Sequence, residues 1–179
     1  RPGAIGEREQ NSFVGVRQRH FEFAAEAGMT FAPGRQEEAG LVAIQNDRSA
    51  FLLTLAAGAD GNSIRLTQSK QGATRQLATA AYEGDTVHFR ITGDYLRYDF
   101  QYSADGRSWT SIAGAVDVTA LSPAVIEGYN YTGVYLGLYA SSNGEESKNF
   151  ADFDYFVYRP TASSRDGWFD RQAVNDSHD

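Results

Sequence analysis

From Ser12 to Tyr158 the chain is written in short apolar or alternating runs, separated by Gly, Asn, Asp and Ser. Period-two alternation sends successive side chains to opposite faces of a strand, and aromatic and β-branched residues suit that pleated surface. The pattern predicts strands near Phe13–Phe23, Met29–Phe31, Gly40–Gln45, Ala50–Ala56, Ser63–Gln68, Thr74–Ala81, Thr86–Thr92, Tyr95–Ser103, Trp109–Ala113, Tyr131–Ala140 and Ala151–Tyr158. About eleven short strands at this spacing read as an all-β sandwich or barrel. The best helical window, "AAEAGM" at Ala24–Met29, spans only about one turn and is interrupted by Gly28. Two hairpins are explicit, with turn chemistry at Asn46–Asp47 in "QNDRSAF" and at Asp105–Gly106 in "YSADGRSW". The last run, "NFADFDYFVY" at Asn149–Tyr158, alternates so that Phe153, Tyr155 and Val157 share one face and Asp152, Asp154, Phe156 and Tyr158 the other. Phe153 and Tyr155 are thereby expected in the core.

A chain of 179 residues fits one domain and buries a sizeable core without disulfides or metals. The patterned part ends near Pro160, giving a domain over 1–160. The segment 161–179, "TASSRDGWFDRQAVNDSHD", is polar and unpatterned apart from Trp168–Phe169, and reads as a linker or flexible end. A formal net charge of −7 and a pI near 4.9 argue against nucleic-acid or anionic-membrane partners, since no basic stripe is present to meet phosphates. There are no cysteines, which leaves the compartment open. No apolar run approaches the length of a membrane span, and "RPGAIGEREQ" has no apolar signal region.

Which residues carry chemistry is less direct. Glycosidases place two carboxylates about 5–9 Å apart across a cleft, and Asp152 and Asp154, two residues apart on one strand, stand at the short end of that range. Spacing is their only support, because no Glu-x-Asp-x-x-Glu cluster occurs. The histidines, His20, His88 and His178, come with no serine on a Gly-x-Ser-x-Gly elbow and no zinc-ligand spacing. Calcium, which takes carboxylate and carbonyl oxygens, is a better use of a carboxylate at a strand end. "DYFVY", Asp154 to Tyr158, resembles the last strand of concanavalin A-like sandwiches that hold such an ion, and "EAGLV", with Gly40, resembles the strand offering it a carbonyl. Sugar-binding modules present aromatic faces to pyranose rings, and Tyr95, Trp109, Tyr129, Tyr131, Tyr135 and Tyr139 are candidates. Tyr129 and Tyr131 stand out because they flank Asn130 in "EGYNYTG", a loop-like segment where rings have no evident core to fill.

Several separate motifs, "SFVGVRQRHFEF" (Ser12–Phe23), "EEAGLVAIQND" (Glu37–Asp47), "YDFQYSADGRSW" (Tyr98–Trp109), "YTGVYLGLYASSNG" (Tyr131–Gly144) and "ADFDYFVY" (Ala151–Tyr158), resemble the carboxy-terminal β-sandwich of glycoside hydrolase family 43 β-xylosidases. That module has also been classed as xylan-binding. The resemblance runs in order over Arg1 to Tyr158 and implies a concanavalin A-like antiparallel sandwich. It further implies an amino-terminal catalytic propeller as partner, with one sandwich loop reaching the active-site mouth to shape a pocket for terminal xylose. The aromatic residue before Thr-Gly in that loop matches Tyr131. Arg17, Gln18 and His20 match a run usually reading Arg-Arg-Gln-x-His, with Val16 replacing the first Arg. "RPG" resembles a point inside the family's domain, so an early strand and the propeller are expected to precede Arg1, and no catalytic site is expected within this chain. Three readings stay open: an accessory domain of a β-xylosidase or α-L-arabinofuranosidase, an independent xylan-targeting module, and an autonomous glycosidase or lyase using Asp152 and Asp154.

Overall fold

The computed structural model describes residues 3, 12–123 and 133–161. Among these, eleven strands follow one another: β1 (Ser12–Arg17), β2 (Glu22–Thr30), β3 (Glu38–Asn46), β4 (Ser49–Ala57), β5 (Asn62–Lys70), β6 (Ala73–Tyr82), β7 (Thr86–Asp94), β8 (Arg97–Ser103), β9 (Thr110–Asp117), β10 (Tyr135–Ser141) and β11 (Asp152–Pro160). A single 3-10 turn, Thr119–Leu121, follows β9. The strands form two antiparallel sheets, six-stranded in the order β1-β10-β3-β4-β5-β6 and five-stranded in the order β11-β2-β7-β8-β9.

Alternation explains how the layers close. Leu41, Phe51, Leu53, Leu55, Ile64, Leu66 and Leu136 line the inner face of the six-stranded sheet, and Phe23, Met29, Phe89, Ile91 and Phe100 face them from the other. Phe51 and Phe100 meet across the layers with ring centroids 5.8 Å apart. Burying each such side chain is worth about 1.5–3 kcal/mol, which closes the sandwich without crosslinks.

Three details differ from the sequence pattern. The helix-favouring "AAEAGM" is strand β2, held between β11 and β7; Phe23, Ala25, Ala27 and Met29 alternate into the core, and pairing on both sides outweighs alanine's helical preference. The long run expected from Phe13 to Phe23 breaks at 18–21, where the chain passes from one sheet to the other. The first hairpin turns one residue later than expected, on Asp47–Arg48, with the Asn46 side chain accepting the Arg48 amide at 2.9 Å. At the second hairpin, Asp105 Oδ1 accepts the amides of Arg107 and Ser108 at 2.8 and 2.7 Å.

Strand β11 corrects the expected facing of the closing run. The pairing to β2 skips Asp154, so Phe153 opposes Met29 and Tyr155 opposes Gly28. That bulge reverses the alternation beyond it. Phe153, Phe156 and Tyr158 pack on the core. Tyr155 instead lies on the outer face over Gly28, beside His88 at 3.0 Å, where a Cβ on residue 28 would come within 2.6 Å of the ring.

Candidate functional site at one end of the sandwich

Four connections meet at one end of the sandwich: the 18–21 crossover, the β7–β8 turn, the 118–123 segment after β9, and residues 133–134 before β10. Backbone bonds sew them together. Gln18 donates to Val134 at 2.8 Å, Tyr95 to Phe21 at 3.1 Å, and Val118 to Leu96 at 3.0 Å. Beneath this surface, the Tyr98 hydroxyl donates to Gln18 Oε1 at 2.7 Å and Gln18 Nε2 donates to the His20 carbonyl at 3.0 Å. The Tyr158 hydroxyl accepts the backbone amides of Arg19 and His20 and meets the His20 ring nitrogen at 3.2 Å. Burial pushes the Tyr98 phenol far above its ordinary range, against the opposing bond to Gln18, so it serves as a neutral donor. Gln18 and His20, singled out in the sequence, are thus anchored by Tyr98 and Tyr158, which it did not single out.

Above that polar layer the surface is apolar. Phe21 and Tyr95 stack at 5.0 Å with planes 8° apart, yet remain 59% and 42% exposed, and Leu96 is 48% exposed. They rim a depression of about 390 Å³, closed on its other side by Leu121, Pro123 and Val134. Grouped exposed aromatic and aliphatic side chains are the kind of surface that contact sites use. Pro123 and Gly133 are also the two described ends of the segment that carries Tyr129 and Tyr131. Those two tyrosines lie outside the described residues.

The other sequence candidates are dispersed. Asp152 and Asp154 are both exposed on β11, an edge strand, and Asp154 is the unpaired residue of the bulge. Gly40 lies inside β3 in the other sheet, where a Cβ would fall 2.1 Å from the Leu53 carbonyl oxygen. Close approach of β3 to β4 accounts for that glycine. Among the described residues no group of three or more His, Cys, Asp or Glu could hold a metal ion. Gly40 and Asp154 therefore have no described carboxylate cluster to complete a calcium shell. Tyr139 is buried on the outer side of the six-stranded sheet, and Trp109 lies under the Arg90 guanidinium at 3.7 Å. Arg90 and Arg159 both bond Glu26, at 2.8 and 2.6 Å; burial raises that carboxyl's pKa, and the two arginines outweigh it and hold it below the usual range.

Two antiparallel sheets stacked on one apolar core, with no α-helix among the described residues, define a concanavalin A-like sandwich. The chain belongs to the family of β-xylosidase C-terminal concanavalin A-like domains, whose model matches residues 1–159. It is 34% identical to a non-reducing end α-L-arabinofuranosidase of Bacteroides ovatus over 151 residues, 83% of this chain and 28% of that protein. It is 29% identical to a putative β-xylosidase of Escherichia coli, over 83% of this chain and 29% of that protein. Its fold matches the crystal structure of a family 43 glycoside hydrolase from Bacillus licheniformis with a TM-score of 0.83 at 22% identity, over 89% of this chain and 31% of that one. The chain spans less than a third of the length of these relatives.

Proposed function

We propose that this chain is the non-catalytic accessory sandwich of a family 43 glycoside hydrolase acting on xylosides or arabinofuranosides. In this reading the apolar end packs on a catalytic propeller, and the 124–132 segment brings Tyr131, with Tyr129 beside it, to the wall of a pocket for a terminal pentose. The observation that carries it is the stacked Phe21–Tyr95 pair with Leu96, left exposed beside the two ends of that segment. A partner's apolar surface would remove these rings from water, and the Tyr98–Gln18–His20–Tyr158 layer would hold the platform rigid beneath them. The contribution to catalysis is positional: a wall that holds the sugar in register lowers the barrier without touching the reacting atoms. The exposed placement of Asp152 and Asp154 on an edge strand does not favour an autonomous hydrolase.

The test is Tyr131→Ala in the full-length enzyme. Losing one sugar-stacking ring, worth about 0.5–1.5 kcal/mol, is expected to lower kcat/KM on aryl xylosides by up to about tenfold. Unchanged kinetics would remove Tyr131 from the pocket. Release of sugar from the same substrates by the isolated chain would overturn the non-catalytic reading.

A further inference from the structure

Beside the apolar end one arginine is held in a particular attitude. Arg17 closes β1 opposite Tyr135, and the ladder runs one bond further, from the Gln18 amide to the Val134 carbonyl at 2.8 Å. Gly133 comes next, at φ +72°, in the left-handed region that favours glycine. A Cβ there would stand 3.1 Å from Arg17 Nε, 3.3 Å from Nη2 and 3.6 Å from Cζ. The two nitrogens lie nearer than the carbon that joins them, so the guanidinium turns its Nε–Nη2 edge toward Gly133 and not its flat face. That edge carries two parallel N–H donors, the geometry that grips a carboxylate by both oxygens. Glycine at 133 therefore serves twice: it accepts the backbone turn, and it leaves the space before the fork clear of a side chain.

Among the described residues the fork meets no acceptor. Glu26 takes Arg90 and Arg159, and Asp117 faces Arg97, but no described carboxylate pairs with Arg17 or with Arg19, two residues on. Both arginines are exposed. The Tyr158 hydroxyl accepts the Arg19 amide at 3.0 Å, and Tyr98 bonds Gln18 between the two at 2.7 Å, so the backbone that carries both cations is fixed from beneath. On a chain of net charge −7, they make a local reversal of sign. The same crossover ends in Phe21, and Val134 follows Gly133; both line the apolar depression. An apolar patch with a charged rim is the common anatomy of a protein contact, and opposite charges across it fix register and exclude wrong partners. A phosphate backbone would need a stripe of cations, which two arginines do not make.

We infer that the protein surface docking on this end presents a carboxylate to the Arg17 fork, beside the apolar contact made by Phe21, Tyr95 and Leu96. This rests on the reading that the end packs on a catalytic domain, and it adds the chemistry that domain brings. Scanning calorimetry of the full-length enzyme tests it. Arg17→Glu turns attraction into repulsion and is expected to split one melting transition into two, separated by several degrees. Arg107→Glu makes the same charge change in the β8–β9 hairpin, at the opposite end of β8, and is expected to leave the single transition in place. In the isolated chain of 179 residues Arg17→Glu is expected to leave Tm unchanged, because the partner carboxylate belongs to the other domain. A single transition in full-length Arg17→Glu overturns the carboxylate. So does a fall in Tm of the isolated chain, which would put the acceptor within this chain. Splitting by Arg107→Glu as well would reduce the effect to net charge and overturn it too. Leu96→Asp keeps the two claims apart: where it uncouples the domains and Arg17→Glu does not, the packed end stands and the carboxylate falls; where neither does, both fall.

Discussion

The apolar end and the outer face of the six-stranded sheet are built from the same strands and differ in what they leave uncovered. At the end, large rings project outward over a hydrogen-bonded layer that uses its own polar groups internally: Tyr98 with Gln18, His20 with Tyr158. On the outer face of the six-stranded sheet the order is reversed, with apolar Leu52 and Val42 buried and the short hydroxylated side chains of Thr67 and Thr74 beside the depression above Leu52. Exposed rings are a surface for another protein domain to bury, since their hydration is what association removes. One small sandwich thus carries an exposed apolar end and a face lined mainly by polar side chains.

Three changes break or sharpen that contrast. The largest effect belongs to the end: Leu96→Asp in the full-length enzyme places a carboxylate in the proposed interface. It is expected to cost about 2 kcal/mol or more of domain association. Calorimetry should then resolve two melting transitions where the wild type is expected to give one; a single unchanged transition would refute the interface. The next effect belongs to that outer face. The folded pKa of Glu38 is raised, so its stabilising contribution is complete below the unfolded value near 4.5 and is lost as pH rises through the folded value. Glu38→Gln, neutral throughout, should therefore raise Tm at pH 7 by on the order of 2–4 °C and match the wild type below about pH 4. An equal shift at both pH values would mean that ionisation at this site is not the cause. The smallest effect is that of calcium. Calcium at Asp154, proposed from the sequence pattern, is tested by chelator followed by excess calcium, a bound structural ion being expected to give a small rise in Tm on addition. An unchanged midpoint would remove the ion.

The alternating runs were enough to read an all-β sandwich or barrel and most of its strands, because a period of two and the placement of turn residues are local properties. The several ordered motifs were likewise enough to place the chain among β-xylosidase C-terminal domains. Where local preference and long-range pairing disagreed, the sequence was silent. "AAEAGM" became a strand because two neighbours bond it on either side. The closing run misled for a different reason: one skipped residue, Asp154, sends Tyr155 out and Phe156 and Tyr158 in, and a bulge depends on the partner strand's register. The same holds for both surfaces. Phe21, Tyr95, Leu96 and Pro123 come from three connections, and Glu38, Leu52, Thr67 and Thr74 from four strands. Each is an ordinary residue in its own segment. Only the stacking and curvature of two sheets bring them together, because a surface is a property of neighbours in space and not of neighbours in the chain.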